Sequence, residues 1–556
     1  MLIVGVKASH DGGVALIDGN RLVLSVEIEK LGNNPRYSRL RDLEQVCEIL
    51  RDHGVDPADV DQFVVDGWWP EKGASTPSVS TTANGAPLTL PVAPYVDGVG
   101  ALDPLERYAF TAHDFTANAP GYVSYHHASN HAVGSYCTSP FAARGEDSLA
   151  LVWDGGISPR LYHVSAQART VRPVAPLFPV TGNIFADFCM YFDPFRPDPA
   201  AEGDNETHHL SVAGKAMAYA ALGTCDRDAF PVFDRLFEEL TSISTENADE
   251  LGARVAAERD QLFPGRSNAD IIATFQEYVG EMLLRRLTDL VKQRFMGQRL
   301  NLCLGGGCAL NIKWNSVIRN SGLFRDVWIP PFPNDSGAAI GTAACELFRS
   351  GEPAALEWDV YSGPRVGPVG ELPQGWTSRP CDERELALLL HTEGEPVVVI
   401  DGRAELGPRA LGNRSILAPA VDPGMKKRLN EIKNRAGYRP VAPLCLTSRS
   451  AEIFDPGTPD RYMLFDHQMR PGWAERVPAI VHLDGSARLQ TIDPSVDCAA
   501  SRVLAAYEAL SGVPVLCNTS ANLNGSGFFP DVASVAAWGR TKYIWSAGVL
   551  YVNPRS

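Results

Sequence analysis

Two histidines four residues apart, His127 and His131 in the run YHHASNH, are the most chemically pointed feature of this 556-residue chain. On a helix that spacing stacks both imidazoles one turn apart on a single face. Two nitrogens so placed can reach one ion at bond lengths of about 2 Å. His126 faces another side of such a helix and is expected to be structural. Asp154 ends the apolar run SLALVWD, where an unpartnered carboxylate is costly. Asp335 stands in Pro333-Asn334-Asp335-Ser336-Gly337 at the start of a helical pattern, a position that a capping role would explain equally well. Two imidazoles and two carboxylates together form a mixed nitrogen–oxygen donor set that suits Fe(II), Mn or Zn.

A second group of residues suits phosphates. Lys433, Arg435 and Arg439 share one segment, and Arg488 lies on a later strand. Arg409 and Arg414 sit in Gly407-Pro408-Arg409 and Gly412-Asn413-Arg414. Guanidinium forks meet phosphate or carboxylate oxygens in two places at once, whereas Lys acts as a point charge. Lys426 and Lys427 on the preceding helix read as solvated charges. Ser520 and Asn522 follow the apolar run VPVLC and offer short polar groups to a nucleotide. Gly305, Gly306 and Gly307 end a strand before a helix, so their N–H groups can approach a phosphate; a tight turn would use them as well. His10 follows the first strand, and because imidazole is the side chain whose ordinary range lies near neutrality it is the candidate base for an acceptor alcohol. Asp204 and Lys215 would bind substrate or pair with each other.

These residues need a scaffold. LIVGV at 2–6 predicts a buried strand, and two further strands flank the turn Asp18-Gly19-Asn20. A helix is expected near 40–53. Residues 70–100, rich in Pro, Ser, Thr and Gly, read as a long loop, disordered or facing the substrate. At 148–156 a strand again ends in Asp-Gly-Gly and returns as LYHVSA, which repeats the first unit and predicts an α/β, actin-like duplicated ATPase-type core. Helical patterns fill 205–222, 229–241 and 268–296. Pro and Gly thicken near 351–376, which separates a domain over 1–355 from a second α/β domain over 365–556. In the latter, strands and helices alternate through VVVIDG, MKKRLNEIK, VPAIVHLD, SRVLAAYEAL, VPVLCNTS and IWSAGVLYV.

Composition narrows the options. A net charge of −16 repels a phosphate backbone and argues against nucleic acid as a partner. No run of about 18 apolar residues is present to cross a membrane. The N-terminus has no basic region ahead of its apolar run and does not read as a signal peptide. Eleven cysteines without a C-x-x-C pair are expected to be reduced thiols of a cytoplasmic protein.

Several ordered segments then carry a resemblance. They are His10-Asp11, the His127/His131 pair, Asp154-Gly155, Gly203-Asp204-Asn205 with Gly214-Lys215, GGGCALN at 305–311 and NDSGAAIGTA at 334–343. Further on come ELGPRALGNRSIL at 405–417, IKNRAGYRPVAPL at 432–444, ARLQT at 487–491 and NTSANLNGSG at 518–527. Over nearly its whole length the chain resembles the nodulation-protein-U and cephamycin O-carbamoyltransferase family. The resemblance implies an N-terminal domain like the threonylcarbamoyl-transferring actin-like proteins and a YrdC-like C-terminal domain. It implies that carbamoyl phosphate and ATP, the latter with Mg2+, yield carbamoyl-adenylate in the C-terminal domain. The carbamoyl group then passes to a small-molecule hydroxyl in the N-terminal one. It places an iron ion on His127, His131, Asp154 and Asp335, nucleotide contacts on Gly305 to Gly307 and Asn311, and substrate contacts on Asp11, Asp204 and Lys215. A homodimer fits related proteins. Two departures stand out: Glu27-Ile28-Glu29-Lys30 replaces an acidic EEER segment. Ser526-Gly527-Phe528 replaces the usual G-E-P and resembles the cephem-modifying, antibiotic-tailoring branch. Competing readings are tRNA threonylcarbamoylation, which the acidic charge disfavours, an actin-like small-molecule kinase, which has no use for the histidine pair, and a non-catalytic ATP-gated scaffold.

Overall fold

The computed structural model of the chain describes residues 1–98, 103–111, 115, 121–197, 205–241, 248–351, 353–496 and 498–554. Its opening strand, β1 (Leu2–Lys7), is buried almost end to end and pairs antiparallel with β2 (Gly13–Asp18), which pairs with β3 (Arg21–Glu27). β4 (Gln62–Asp66) joins β1 in parallel. The region from 70 onward is not all loop: β5 (Ser78–Ala83) and β6 (Ala86–Pro91) form a hairpin. Asn84 and Gly85 both take positive φ at its tip, as a two-residue hairpin turn requires, and Val79 and Leu90 tie it to the core. The first strand is mostly Ser and Thr and the second is broken by Pro87 and Pro91, which hid them in the sequence. β7 (Tyr108–Phe110) and β8 (Tyr122–Tyr125) complete a sheet of order β3-β2-β1-β4-β8-β7.

α1 (His127–Cys137) follows and leads into a second sheet: β9 (Ser148–Val152), β10 (Arg160–Ser165) and β11 (Thr170–Pro176). After α2 (Asn205–Tyr219) and the long α3 (Asn268–Phe295), β12 (Asn301–Gly305) pairs parallel with β9. α4 (Ile312–Asn320) precedes β13 (Val327–Trp328), and α5 (Ala338–Ser350) ends the unit. The order β11-β10-β9-β12-β13 repeats the first half: an antiparallel three-strand meander, then parallel neighbours on the side of its first strand. That is the duplicated arrangement expected of an actin-like core.

α1 and α5 lie against each other between the two sheets, α1 on β9 and β12, α5 on β1, β2 and β4. Glycines allow the approach: a Cβ on Gly134 would stand 2.9 Å from the Cα of Gly341.

In the C-terminal part, β14 (Thr377–Pro380), α6 (Glu383–Glu393), β15 (Val397–Ile400), β16 (Arg414–Pro419), α7 (Met425–Ile432) and β17 (Ala442–Leu446) come first. β18 (Phe454–Asp455), β19 (His467–Met469) and β20 (Ser486–Ala487) make a small separate sheet. β21 (Gln490–Ile492), α8 (Ala499–Ser511), β22 (Val515–Ser520), β23 (Tyr543–Ser546) and β24 (Val549–Val552) finish a mixed sheet ordered β14-β24-β23-β15-β16-β22-β17-β21. VPAIVHLD forms only a short turn at Pro478–Ile480, since Pro478 supplies no N–H for a ladder. All eleven cysteines are free. Among the described residues no helix is long and apolar enough to cross a membrane.

The two parts are stitched together through main chain. Leu22 and Ser25 donate to the carbonyls of Glu357 and Ser362, and Arg36 and Gly527 donate to Gly525 and Asn34. The buried Lys30 ammonium reaches Glu27 Oε1 at 2.7 Å, the Glu405 carbonyl at 2.5 Å and the Gly407 carbonyl at 2.8 Å. The departure at 27–30 thus serves the domain joint.

Candidate metal centre and an adjoining cationic chamber

α1 begins at His127, and its first turn and a half present His127 and His131 to the ends of β9 and β12. Asp335 enters from the short turn Asp335–Gly337 ahead of α5, and Asp154 from the end of β9. One donor atom from each of His127, His131, Asp154 and Asp335 lies within 4.8 Å of all the others, and all four residues are buried. The two Nε2 atoms are 3.0 Å apart. Asp335 Oδ1 is 3.3 Å from His127 Nε2 and 3.4 Å from His131 Nε2; for Asp154 Oδ2 these distances are 3.6 and 3.9 Å. Donors sharing one ion at bonds of about 2 Å must lie roughly 3–4 Å apart, so the set fits a single ion. The Nδ1 of His127 donates to Asp66 Oδ2 at 2.8 Å, which fixes the tautomer and leaves the Nε2 lone pair facing the other donors.

Neighbouring groups hold Asp154 and His127 in place. Asp154 Oδ1 accepts the Gly307 N–H at 2.6 Å, and its Oδ2 accepts the Tyr95 hydroxyl at 2.8 Å. Tyr95 stacks on His127, and Asn130 donates to Asp66. Lys7, at the end of β1, sits 2.7 Å from Asp66 Oδ2 and 2.9 Å from Asp335 Oδ2, with Trp68 4.3 Å away. Burial alone would lower the Lys7 pKa, but Asp335 and Asp66 outweigh it and hold it above the ordinary lysine range. Burial would likewise raise Asp335, yet Lys7 and His127 hold it well below the usual carboxylate range. Lys7, Asp66 and Tyr95 were missed in the sequence. Asp66, like Asp154, is a lone carboxylate ending an apolar strand, so the same signal was there to be read.

His10 reaches this group: its Nδ1 is 3.0 Å from Asp11 Oδ2 and 3.7 Å from Asp335 Oδ2. His126 does play a structural part: it stands just before α1, with its ring 3.0 Å from the Pro94 carbonyl. The triple glycine departs from expectation. Gly306 N–H donates to Pro333 and Gly307 N–H to Asp154, so neither is available to a phosphate. A Cβ on Gly305 would meet the His131 carbonyl at 2.8 Å, so glycine is needed there for close packing against α1. Asn311 caps α4 through its side-chain oxygen, which occupies the group expected to bind nucleotide.

Between the two parts lies a second cluster. Lys433 Nζ is pinned on the Ser520 carbonyl at 2.7 Å, the Asn522 carbonyl at 2.7 Å and Asn522 Oδ1 at 2.5 Å, which joins three predicted residues directly. Arg409 is pulled well below its usual pKa by burial and then by Arg488, Arg36 and Arg439. Arg488 is lowered by burial, Arg439 and Arg435, and Lys215 by burial, Arg439 and Arg36. The Nε atoms of Arg409 and Arg488 are buried without a hydrogen-bond partner. Mutually repelling cations held together in this way stand ready for an anion. Arg36 was not foreseen; Lys215 donates to Ser211, and Asp204 lies outside the described residues. Arg414 does not belong to the cluster: it is buried and donates to the carbonyls of Asp401 at 2.5 Å and Asn413 at 3.0 Å, leaving it no face for phosphate.

Comparison with known proteins identifies the family. Residues 2–345 match the carbamoyltransferase N-terminus family and residues 388–542 the carbamoyltransferase C-terminus family. The chain is 45% identical to nodulation protein U of Rhizobium tropici, over 100% of this chain and 96% of that one. It is 43% identical to nodulation protein U of Sinorhizobium fredii, over 100% and 99%. With the 3'-hydroxymethylcephem-O-carbamoyltransferase of Streptomyces clavuligerus it shares 33% identity over 97% and 96%. The cephem-like segment at 526–528 is therefore a local feature in a chain that shares more residues overall with these nodulation relatives. Among solved structures, the activator of 2-hydroxyisocaproyl-CoA dehydratase from Clostridium difficile gives a TM-score of 0.32 at 15% identity, over 63% of this chain and 95% of that one. Matched across both of its parts, the chain belongs to the carbamoyltransferase family and is a carbamoyl-transferring enzyme.

Proposed function

We propose that the enzyme activates carbamoyl phosphate with ATP in a YrdC-like C-terminal domain and delivers the carbamoyl group to a hydroxyl of a small-molecule natural product at the N-terminal metal centre. In the first step carbamoyl phosphate, water and Mg2+-bound ATP give carbamoyl-adenylate, phosphate and pyrophosphate. Arg435, Arg439, Arg488 and Arg409 neutralise the phosphates, and Lys433, whose three N–H groups are held by Ser520 and Asn522, braces the segment that presents them. In the second step the acceptor oxygen attacks the carbamoyl carbon, AMP leaves, and His10 takes the hydroxyl proton at its ring nitrogen with Asp11 orienting the imidazole. An ion such as Fe(II), Mn or Zn, held by His127, His131, Asp154 and Asp335, would supply Lewis-acid polarisation. Arg36 and Lys215 add positive charge to this cluster from the N-terminal side.

The observation that carries this reading is the convergence of four metal donors beside His10, with a cluster of crowded cations drawn from both domains. The names of the relatives point to hydroxyl acceptors, since one of them is a hydroxymethylcephem O-carbamoyltransferase. The test is pyrophosphate release from ATP and carbamoyl phosphate, with a panel of hydroxylated sugars and cephems as acceptors. Release that needs carbamoyl phosphate, together with a carbamoylated product, supports it; ATP turnover that ignores carbamoyl phosphate sinks it.

A further inference from the structure

Asp335 divides its two oxygens between two neighbourhoods. Oδ1 faces the imidazoles at 3.3 and 3.4 Å, while Oδ2 faces Lys7 at 2.9 Å and His10 at 3.7 Å. A carboxylate with both oxygens free can bind an ion through one of them or through both. Lys7 is itself immobile: it is 1% exposed, anchored by Asp66 at 2.7 Å and backed by Trp68. Asp154 has a comparable restraint, because the Gly307 N–H holds Oδ1. Each of the four residues therefore offers one atom. A catalytic ion needs an open position for its substrate, and a second oxygen from Asp335 is the nearest group able to fill it.

We infer that Lys7 is a positioning residue of the metal centre, which holds Asp335 to donation through one oxygen and thereby keeps a coordination position open. The inference rests on the metal site proposed above and goes beyond it. The contacts of the Lys7 ammonium are Asp66, Asp335 and Trp68, and it acts through Asp335.

The test uses the full-length protein with cobalt(II) as the metal and azide as a small anionic probe, followed by visible absorption. The wild type is expected to bind one cobalt and to change its spectrum as azide takes the open position. In Lys7→Met the freed Oδ2 is expected to turn onto the ion, so that cobalt absorption weakens and azide affinity falls about tenfold or more. Lys7→Gln keeps a polar side chain but removes the positive charge that holds Asp335 Oδ2, and is expected to show the same loss, which guards against misfolding of the Met variant. Lys7→Arg, which keeps the charge, is expected to retain azide binding. Azide titrations of folded, cobalt-loaded Lys7→Met or Lys7→Gln that superimpose on the wild type would overturn the inference, as would loss of cobalt itself by these folded variants. If the wild type takes up no cobalt, the metal reading fails first, and this inference falls with it.

Discussion

Asp66 Oδ2 lies 2.8 Å from His127 Nδ1, and this one hydrogen bond decides which imidazole nitrogen faces the remaining three donors. Asp66→Asn keeps the size of the side chain but offers an amide that can present either N–H or C=O to the ring. Metal affinity is expected to fall by about 10–100-fold, the usual cost of losing such a support. Competition against a chelator would measure it, and an unchanged affinity would remove Asp66 from the site.

The helix crossing that brings these donors together depends on glycine. A Cβ on Gly341 would collide with the Asn130 carbonyl, whereas one on Gly214 would meet nothing within 4 Å. Gly341→Ala should destabilise the fold by about 1–3 kcal/mol and Gly214→Ala should be neutral or slightly stabilising. Urea midpoints would compare them directly. Equal midpoints for the two variants would mean that the crossing is loose.

The two half-reactions should separate genetically. Lys433→Ala is expected to stop carbamoyl-phosphate-dependent exchange of pyrophosphate into ATP while leaving metal content intact. His131→Ala is expected to do the reverse: exchange continues, transfer to the acceptor stops, and metal is lost. Loss of both steps in a folded His131→Ala protein would rule out the division of labour.

The cationic cluster predicts a trade between stability and ligand response. Arg409 is crowded by Arg488, Arg36 and Arg439, so Arg409→Met should raise the Tm of the ligand-free protein. Added pyrophosphate should stabilise the wild type, by about 2.7 kcal/mol at a hundredfold excess over its Kd, and the variant much less. Calorimetry in both states reads the two effects. A lower Tm for the ligand-free variant would show that Arg409 serves packing instead of anion binding.

Much of this layout was legible in particular residues. The His127/His131 spacing and the strand-ending Asp154 marked the metal site, and the Asp-Gly-Gly repeat marked the duplicated halves that the strand orders display. Lys7 escaped because a single lysine closing an apolar strand reads as the point where the chain meets water, while here the strand end is buried under Trp68. Arg414 and the triple glycine were misjudged for a common reason. Composition marks a residue able to bind phosphate, but only the fold shows that neighbouring carbonyls or Asp154 have already taken its donors. The 78–91 hairpin was hidden by its Ser and Thr, although Asn84-Gly85 announced the turn.

The edge of β3 carries one more consequence. Its outward N–H groups at Leu22 and Ser25 are answered by Glu357 and Ser362, which belong to the segment leading into the C-terminal part. A fragment cut near residue 355 would bare a raw β-rim able to recruit other copies of itself. The half that carries the candidate metal centre is thus sheathed by the start of its neighbour, and dissecting the enzyme into independent pieces should yield aggregates unless the sheath at 357–363 travels with it.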